Sequence, residues 1–272
     1  MLMIIDELLV QSKIDRREAE LLLAFTLKKD RPYVKAHSKD EVNKKIEKKF
    51  LSLIKRRQKN EPIAYLIGSQ PFFGRDFIVN KNTLIPRPET EELIDLVLSH
   101  SAQYSVVVDV GTGSGCIATT LALEIPRSKV IASDASGQAL KIARQNAKKL
   151  GAKVEFFISD LLGPKLRSNL KTQRVIFVAN LPYLPNSDKK TMMLDVTKYE
   201  PAKALFTRGD GSMLIVKLLK QIRDSKLSAS MFFEIDPRQS NKLATLANKL
   251  FPNHKVAIKK DHCGRDRFLL II

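Results

Sequence analysis

Cysteine is nearly absent from this chain of 272 residues: Cys116 and Cys263 are the only two, far apart and outside any Cys-x-x-Cys pair. That excludes a disulfide framework, argues against a zinc site or any other bound metal, and fits a reducing, cytoplasmic compartment. Long apolar runs are missing too. No stretch approaches the length needed to span a bilayer. The opening fifteen residues mix apolar and acidic side chains, with no basic segment leading into an unbroken apolar run, so no signal peptide is expected. Acidic residues are scarce: 29 Asp and Glu stand against 47 Lys and Arg, a formal net charge of +18. Such a surplus suits an anionic partner such as RNA, a ribonucleoprotein or an acidic protein surface. It equally suits a merely soluble surface, because net charge informs association and not fold. Internal repeats and low-complexity tracts are absent as well. What is present is 44% hydrophobic residues, enough for a substantial core.

Residues 1–60 read as a small helical domain. Leu2, Ile5, Leu8 and Leu9 recur at helical spacing, as do Ala19, Leu22, Leu23 and Phe25. Ser38 and Glu41 form a Ser-x-x-Glu capping box ahead of a third segment carrying Val42, Ile46, Phe50, Leu53 and Ile54. Sixteen Lys and Arg face nine Asp and Glu here, mostly as solvated helix faces. A bundle this small suits recognition better than chemistry. Residues 61–83 read as a β-hairpin linker, with extended runs at Ala64–Phe72 and Arg75–Asn80 around a Phe73-Gly74 turn. Residues 84–272 open with Pro86 and Pro88 leading into a helix from Glu89 to His100.

Beyond residue 104, strands and helices alternate. Strands are expected at Val106–Val110, Val130–Ser133, Val154–Ile158, Val175–Ala179, Met231–Ile235, His254–Ile258 and Arg267–Ile272. Helices are expected at Ile117–Leu123, Gln138–Leu150, Met213–Ile222 and Ser240–Leu250. The alternation predicts an α/β fold with a parallel, doubly wound sheet.

The first strand ends in Asp109-Val110-Gly111-Thr112-Gly113-Ser114-Gly115-Cys116. Glycines let the backbone approach a ligand closely, and the following helix offers free N–H groups. Asp134 ends the next strand, where an acid can accept hydrogen bonds from both ribose hydroxyls of an adenosine-type cofactor. A nicotinamide enzyme usually shows Gly-x-Gly-x-x-Gly, which needs glycine or alanine where Cys116 stands. Glycines at 111, 113 and 115 preceded by Asp109 resemble motif I of the class I methyltransferases instead, which favours S-adenosylmethionine. Asp160, followed by Leu161 at the end of the third strand, is placed to reach an adenine amino group. A strand-end aspartate taken alone is more often a helix cap.

The fourth strand ends in Asn180-Leu181-Pro182-Tyr183, facing the same crevice as the glycine loop. An amide nitrogen is a poor nucleophile because its lone pair is delocalised. The Asn180 side-chain oxygen and a main-chain carbonyl of the tetrapeptide can each accept one N–H of such a group. Held in this way, the nitrogen can turn its lone pair toward a sulfonium methyl, so placement and electrostatics supply most of the catalysis. Pro182 stiffens the loop and Tyr183 offers a flat face to a planar group.

This tetrapeptide resembles the Asn-Pro-Pro-Tyr motif of amino-nitrogen methyltransferases, with Leu181 in place of the first proline. Leu84 through Glu91, Tyr199-Glu200-Pro201, Ala204-Leu205, Gly209-Asp210-Gly211 and Gly264-Arg265-Asp266-Arg267 are similar to segments of the HemK/PrmC family of release-factor glutamine methyltransferases. The resemblance covers nearly the whole chain, and its proline-rich segment discriminates best. It implies a Rossmann-like class I methyltransferase domain with a mostly parallel seven-stranded sheet, and N5-methylation of the glutamine in the Gly-Gly-Gln motif of peptide chain release factors. By position, Gly111, Thr112, Gly113, Ser114, Gly115, Asp134, Asp160, Leu161 and Asn180 would contact S-adenosylmethionine. Asn180 to Tyr183 would hold the glutamine amide, and the helical domain would grip the release factor.

Three other readings stay open. A glutamine methyltransferase of a ribosomal protein would show much the same reaction-site motifs. An adenine-N6 or guanine-N2 nucleic-acid methyltransferase shares the tetrapeptide and fits the charge, with a base flipped against Tyr183. The chain carries no dedicated target-recognition insertion and no concentrated basic-aromatic patch that would favour it. A cofactor-sensing scaffold is opposed by the intact Asp109, three glycines, Asp134 and Asn180.

Overall fold

The structure, a computed structural model, describes residues 2–101, 104–170 and 174–272. Two compact units divide it: one takes in the chain through Ser69 together with Met193–Tyr199, the other Gln70–Met192 and Glu200–Ile272.

The first unit is built from amphipathic helices. A two-residue strand β1 (Met3–Ile4) leads into α1 (Ile5–Gln11), followed by α2 (Arg16–Leu27) and α3 (Arg31–Ala36). Strand β2 (Glu41–Val42), α4 (Lys44–Arg57) and α5 (Ile63–Ile67) follow. Leu8, Leu22, Leu23, Val34 and Phe50 are completely buried in one cluster with Leu53 and Ile54.

Two expectations change here. The Ser38–Glu41 capping box does not form, and α4 starts later: its cap is Asn43, whose side chain accepts from the Ile46 N–H at 3.0 Å. The 38–42 segment instead pairs with the start of the chain, as Met3 registers with Val42 and the Ser38 carbonyl accepts from the Asp6 N–H. Residues 64–67, expected as extended, lie instead in α5, which ends at Gly68 with φ +86°, a left-handed residue that stops it. Helix α3 was hidden by its shortness. Asp30 caps it and Pro32 sits in its first turn, where a missing N–H costs nothing.

In the second unit a short hairpin, β3 (Ser69–Phe72) and β4 (Arg75–Ile78), turns at Phe73 and Gly74 and precedes α6 (Pro88–Leu98). Then come β5 (Val106–Val110), α7 (Cys116–Glu124), β6 (Lys129–Asp134), α8 (Gly137–Leu150) and β7 (Val154–Ile158). After α9 (Pro164–Ser168) and β8 (Arg174–Ala179), the short β9 (Leu184–Pro185) pairs with β10 (Phe206–Thr207). Between those two lie α10 (Leu194–Tyr199), which belongs to the first unit, and α11 (Ala202–Leu205). Helix α12 (Met213–Ser225), β11 (Ser228–Glu234), α13 (Ser240–Leu250), β12 (Val256–Lys260) and β13 (Asp266–Ile271) complete the chain.

Seven strands form one sheet in the order β12-β13-β11-β8-β5-β6-β7. The pairs among β11, β8, β5, β6 and β7 are parallel, while β13 runs antiparallel to both of its neighbours. Both faces are covered, which is why the central strands read as unbroken apolar runs. Val106, Val108 and Val110 face a cluster with Ile215, Leu218 and Leu243, while Val107 faces the opposite one with Leu93, Ile94 and Leu121. Full burial of each such side chain contributes about 1.5–3 kcal/mol. From β5 the chain winds out one way through β6 and β7, then returns to β8 on the other side. A crevice opens at such a switch point, beyond the carboxyl ends of β5 and β8.

Candidate active site

The loop after β5 is organised by two carboxylates. Asp109 is completely buried, and its Oδ2 accepts from the Thr112 hydroxyl at 2.6 Å and the Ala118 N–H at 3.1 Å. Its Oδ1 is buried without a partner among the described residues, and burial pushes the carboxyl up to about 7. Asp134 accepts from the Gly113 N–H at 2.9 Å and the Ser136 N–H at 2.7 Å, and burial raises its pKa too. The Gly111 and Thr112 N–H groups both donate to the Ser133 carbonyl, folding the loop back over β6.

Gly111 has φ +78°, and a Cβ there would stand 2.7 Å from Leu181 Cδ2. Glycine at that position therefore lets the tetrapeptide after β8 pack directly on the loop after β5. Ser114 is reached from outside the loop: Asn146 donates to the Ser114 and Ile78 carbonyls and accepts from the Ile78 N–H. The hairpin strand β4, which the sequence reading treats only as a linker, is thereby tied to the glycine loop.

The tetrapeptide is held at three points. The Asn180 side-chain nitrogen donates to Thr90 Oγ1 at 2.9 Å and to Glu234 Oε2 at 2.8 Å. Tyr183 donates its hydroxyl to Glu234 Oε1 at 3.0 Å, and burial raises the tyrosine pKa. The Tyr183 carbonyl accepts from Gln239 Nε2 at 2.8 Å, and the same nitrogen reaches the Asp210 carbonyl. Gly211 backs this carbonyl so closely that a Cβ would lie 1.9 Å from it, which gives the Gly209-Asp210-Gly211 segment its physical meaning. Asn180 Oδ1 accepts no hydrogen bond among the described residues, and neither do the Leu181 and Pro182 carbonyls. Three acceptors thus stay available near the end of β8.

Asp160 and Leu161 sit differently. Asp160 is exposed and paired with Lys217, on the rim of an open recess of about 740 Å³ lined also by Ile158, Gly163, Lys165 and Gln221. Leu161 is buried with φ +54°. No glycine-loop residue lines that recess, so the structure does not bring Asp160 together with Asn180 through it.

A second recess of about 440 Å³ opens beside Tyr183, lined by Arg87, Met192, Leu205, Asp236, Arg265 and Arg267 among others. Glu200, almost fully buried, pairs with the Arg87 guanidinium and accepts from the Ile85 N–H at 3.0 Å. The Ile85-Pro86-Arg87 and Glu200-Pro201 segments, 113 residues apart at their ion pair, are thus joined as one wall. Arg267 packs against Asp261 behind it.

Sequence reasoning missed Thr90, Glu234, Gln239 and Asn146. Glu234 left a signal, an acid closing the apolar run Met231-Phe232-Phe233 at a strand's carboxyl end, where α/β sheets bind ligands. Thr90 lay inside the proline-rich segment of residues 84–91 without a role of its own, and Gln239 and Asn146 left no signal.

Comparison with known proteins identifies the family. Residues 5–68 match the PrmC N-terminal domain and residues 107–199 match the methyltransferase domain family. A release factor glutamine methyltransferase of Staphylococcus aureus is 35% identical over 260 residues, covering 95% of this chain and 93% of that protein. One of Koribacter versatilis is 43% identical over 211 residues, covering 76% of this chain and 74% of that protein. Among solved structures, the catalytic domain of hMettl16 in complex with MAT2A 3′UTR hairpin 1 superposes with a TM-score of 0.58 at 14% identity, over 92% of this chain and 89% of that one. At that identity the likeness concerns the fold alone.

Proposed function

We infer what the crevice does from a plain premise: this chain belongs to the family of release factor glutamine methyltransferases. It is an S-adenosylmethionine-dependent methyltransferase, and its substrate is the side-chain amide of a release-factor glutamine, the one in the Gly-Gly-Gln motif. The observation that carries this reading is Asn180, whose carbonyl oxygen stands free beside the glycine loop while its nitrogen is held from behind.

The residues present fit the cofactor. Glycines 111, 113 and 115 bring bare backbone to the crevice, and Asp109 Oδ1 is a buried acceptor still wanting a donor, such as an ammonium reached through a water. Asp134, with two lone pairs left on its carboxylate, would take the ribose hydroxyls. Leu161, Thr112, Ser114 and Asp160 would complete the cradle. S-adenosylmethionine supplies a methyl group made electrophilic by a positively charged sulfur.

The protein's own part is placement. Asn180 Oδ1 and a carbonyl of Leu181 or Pro182 accept the two N–H groups of the glutamine amide, which aims the nitrogen lone pair at the methyl. These acceptors also strengthen their hold as the nitrogen gains positive charge in the transition state. Tyr183 flanks the planar amide. The recess beside it, walled by Arg87, Arg265 and Arg267, gives the polypeptide on either side of the glutamine a place to lie.

The helical unit grips the release factor, and the work is done in the cytoplasm, near the ribosome, where the basic surface has anionic company. No helix among the described residues is long and apolar enough to cross a membrane.

The test is methyl transfer from labelled S-adenosylmethionine to a release factor, to its Gly-Gly-Gln glutamine variant, and to mixed RNA and DNA. Label on the release factor that vanishes with the glutamine is expected. Label on nucleic acid alone would move the protein to a base methyltransferase, and label on none of these would redirect the search to ribosomal proteins.

A further inference from the structure

We propose that Glu234 is a positioning residue that decides which end of the Asn180 side-chain amide faces the crevice, and thereby makes the site accept an amide and reject a carboxylate. The inference rests on the function proposed above.

A side-chain amide is planar and nearly symmetric in shape, so its orientation is set by hydrogen-bond partners and not by sterics. Thr90 has one hydroxyl proton, and it goes to Glu234 Oε2 at 2.8 Å. Toward Asn180, therefore, both Thr90 Oγ1 and Glu234 Oε2 are acceptors. A flipped amide would set its oxygen against two lone pairs. The NH2 end is held at the back, and Oδ1 is turned outward.

Register makes the arrangement possible. Strands β8 and β11 are parallel neighbours with Phe233 opposite Ala179, so Glu234 and Asn180 leave the sheet side by side. Glu234 is 2% exposed, and its other oxygen is taken by the Tyr183 hydroxyl. One buried carboxyl thus holds the group meant to receive the substrate N–H and the ring meant to lie beside the substrate plane. Its Oε2 accepts from both the Thr90 hydroxyl and the Asn180 NH2.

The consequence is a specificity rule. Within the tetrapeptide, Asn180 Oδ1 and the Leu181 and Pro182 carbonyls, which accept no hydrogen bond among the described residues, present lone pairs and no donors. A glutamine amide satisfies them with two N–H groups. A glutamate carboxylate in the same place would leave them unpaired and meet their repulsion, and leaving buried polar groups unpaired is a strong basis for rejection.

The test compares Glu234→Leu, which fills the space with an apolar side chain and removes the acceptor, with the near-isosteric Glu234→Gln, whose carbonyl can still face Asn180 and Thr90. A release factor serves as substrate, and its Gly-Gly-Gln variant with glutamate at the target position as competitor. For Glu234→Leu, kcat should fall about 30-fold, the size of one charge-assisted hydrogen bond. The S-adenosylmethionine Kd should stay within about twofold, while preference for the glutamine over the glutamate protein should narrow about tenfold. Glu234→Gln should restore most of both. Equal damage from the two variants, or wild-type preference in Glu234→Leu, would overturn the proposal.

Nitrogen NMR of the Asn180 side-chain NH2 separates this inference from the function itself. Wild type and Glu234→Gln should show a pair protected from exchange and Glu234→Leu an unprotected one. If wild type labels no release factor, the function falls, and this measurement alone decides the role of Glu234: absence of protection in wild type would refute it. Should Glu234→Leu fail to fold, Thr90→Val removes the companion acceptor. Reduced protection in that variant supports the arrangement, and unchanged protection overturns it.

Discussion

The loop after β5 and the tetrapeptide after β8 leave adjacent parallel strands at the same edge of the sheet, yet they are held in opposite ways. The first is secured by near neighbours: Asp109 holds Thr112, three residues on, and Asp134 reaches Gly113 across 21 residues. The second is secured from far away. Thr90 lies 90 residues from Asn180, Glu234 lies 54 beyond it, and Gln239 grips the Tyr183 carbonyl across 56. A cofactor common to many enzymes can be held by a self-contained turn. A substrate amide needs several groups aimed at one point, and only the tertiary fold supplies those.

The comparison breaks most sharply at Asn180. Asn180→Ala should lower kcat about 100- to 1,000-fold, since it removes a preorganised group that acts on the transition state, while the S-adenosylmethionine Kd changes little. Steady-state kinetics with calorimetry checks this, and near-native turnover would show that another group holds the substrate.

Asp134→Ala should do the reverse. It removes an acceptor from the loop after β5, so the S-adenosylmethionine Kd should rise about tenfold, about 1.4 kcal/mol, with kcat at saturation largely kept. An unchanged Kd would remove the ribose role.

A separate effect, on stability and not on turnover or cofactor affinity, concerns Asp109 and pH. Its folded-state pKa is raised from 3.8 to about 7, so the folded protein holds a proton that the unfolded chain releases. Stability from this group is therefore fully present below about pH 4, falls as pH rises to about 7, and is level above. Asp109→Asn keeps an acceptor for Thr112 and Ala118 but does not titrate. Its Tm relative to wild type should climb between pH 4 and pH 7.5, and a constant difference would show that Asp109 ionises normally.

Legibility follows the same division. Strands β5, β6 and β8 were readable because they lie inside the sheet with their central residues buried, and β5 and β8 run almost unbroken in valine, isoleucine and phenylalanine, while the edge strand β7 keeps its apolar residues around an exposed Glu155. Glycines 111, 113 and 115 were readable because their spacing is itself the geometry of the turn. The start of α4 was misread because Ser38 and Glu41 satisfy a local capping rule, while pairing of Glu41 and Val42 with β1 outweighs it. Local propensity loses where a long-range partner takes the same backbone groups. The proline-rich segment was visible as a signature without a reason. The reason is Glu200, which fastens Ile85 and Arg87 in place.

Sequence alone determined the alternation of strands and helices, the glycine turn after β5 and the place of Asn180 just beyond β8, because these depend on periodicity, glycine conformations and chemistry within a few residues. The tertiary structure alone decided which way the Asn180 amide points, why Gly211 must lack a side chain, and that Glu234 bonds both Asn180 and Tyr183. Each depends on a hydrogen bond or close approach between residues distant along the chain, which nothing in local sequence encodes until the strands are laid side by side.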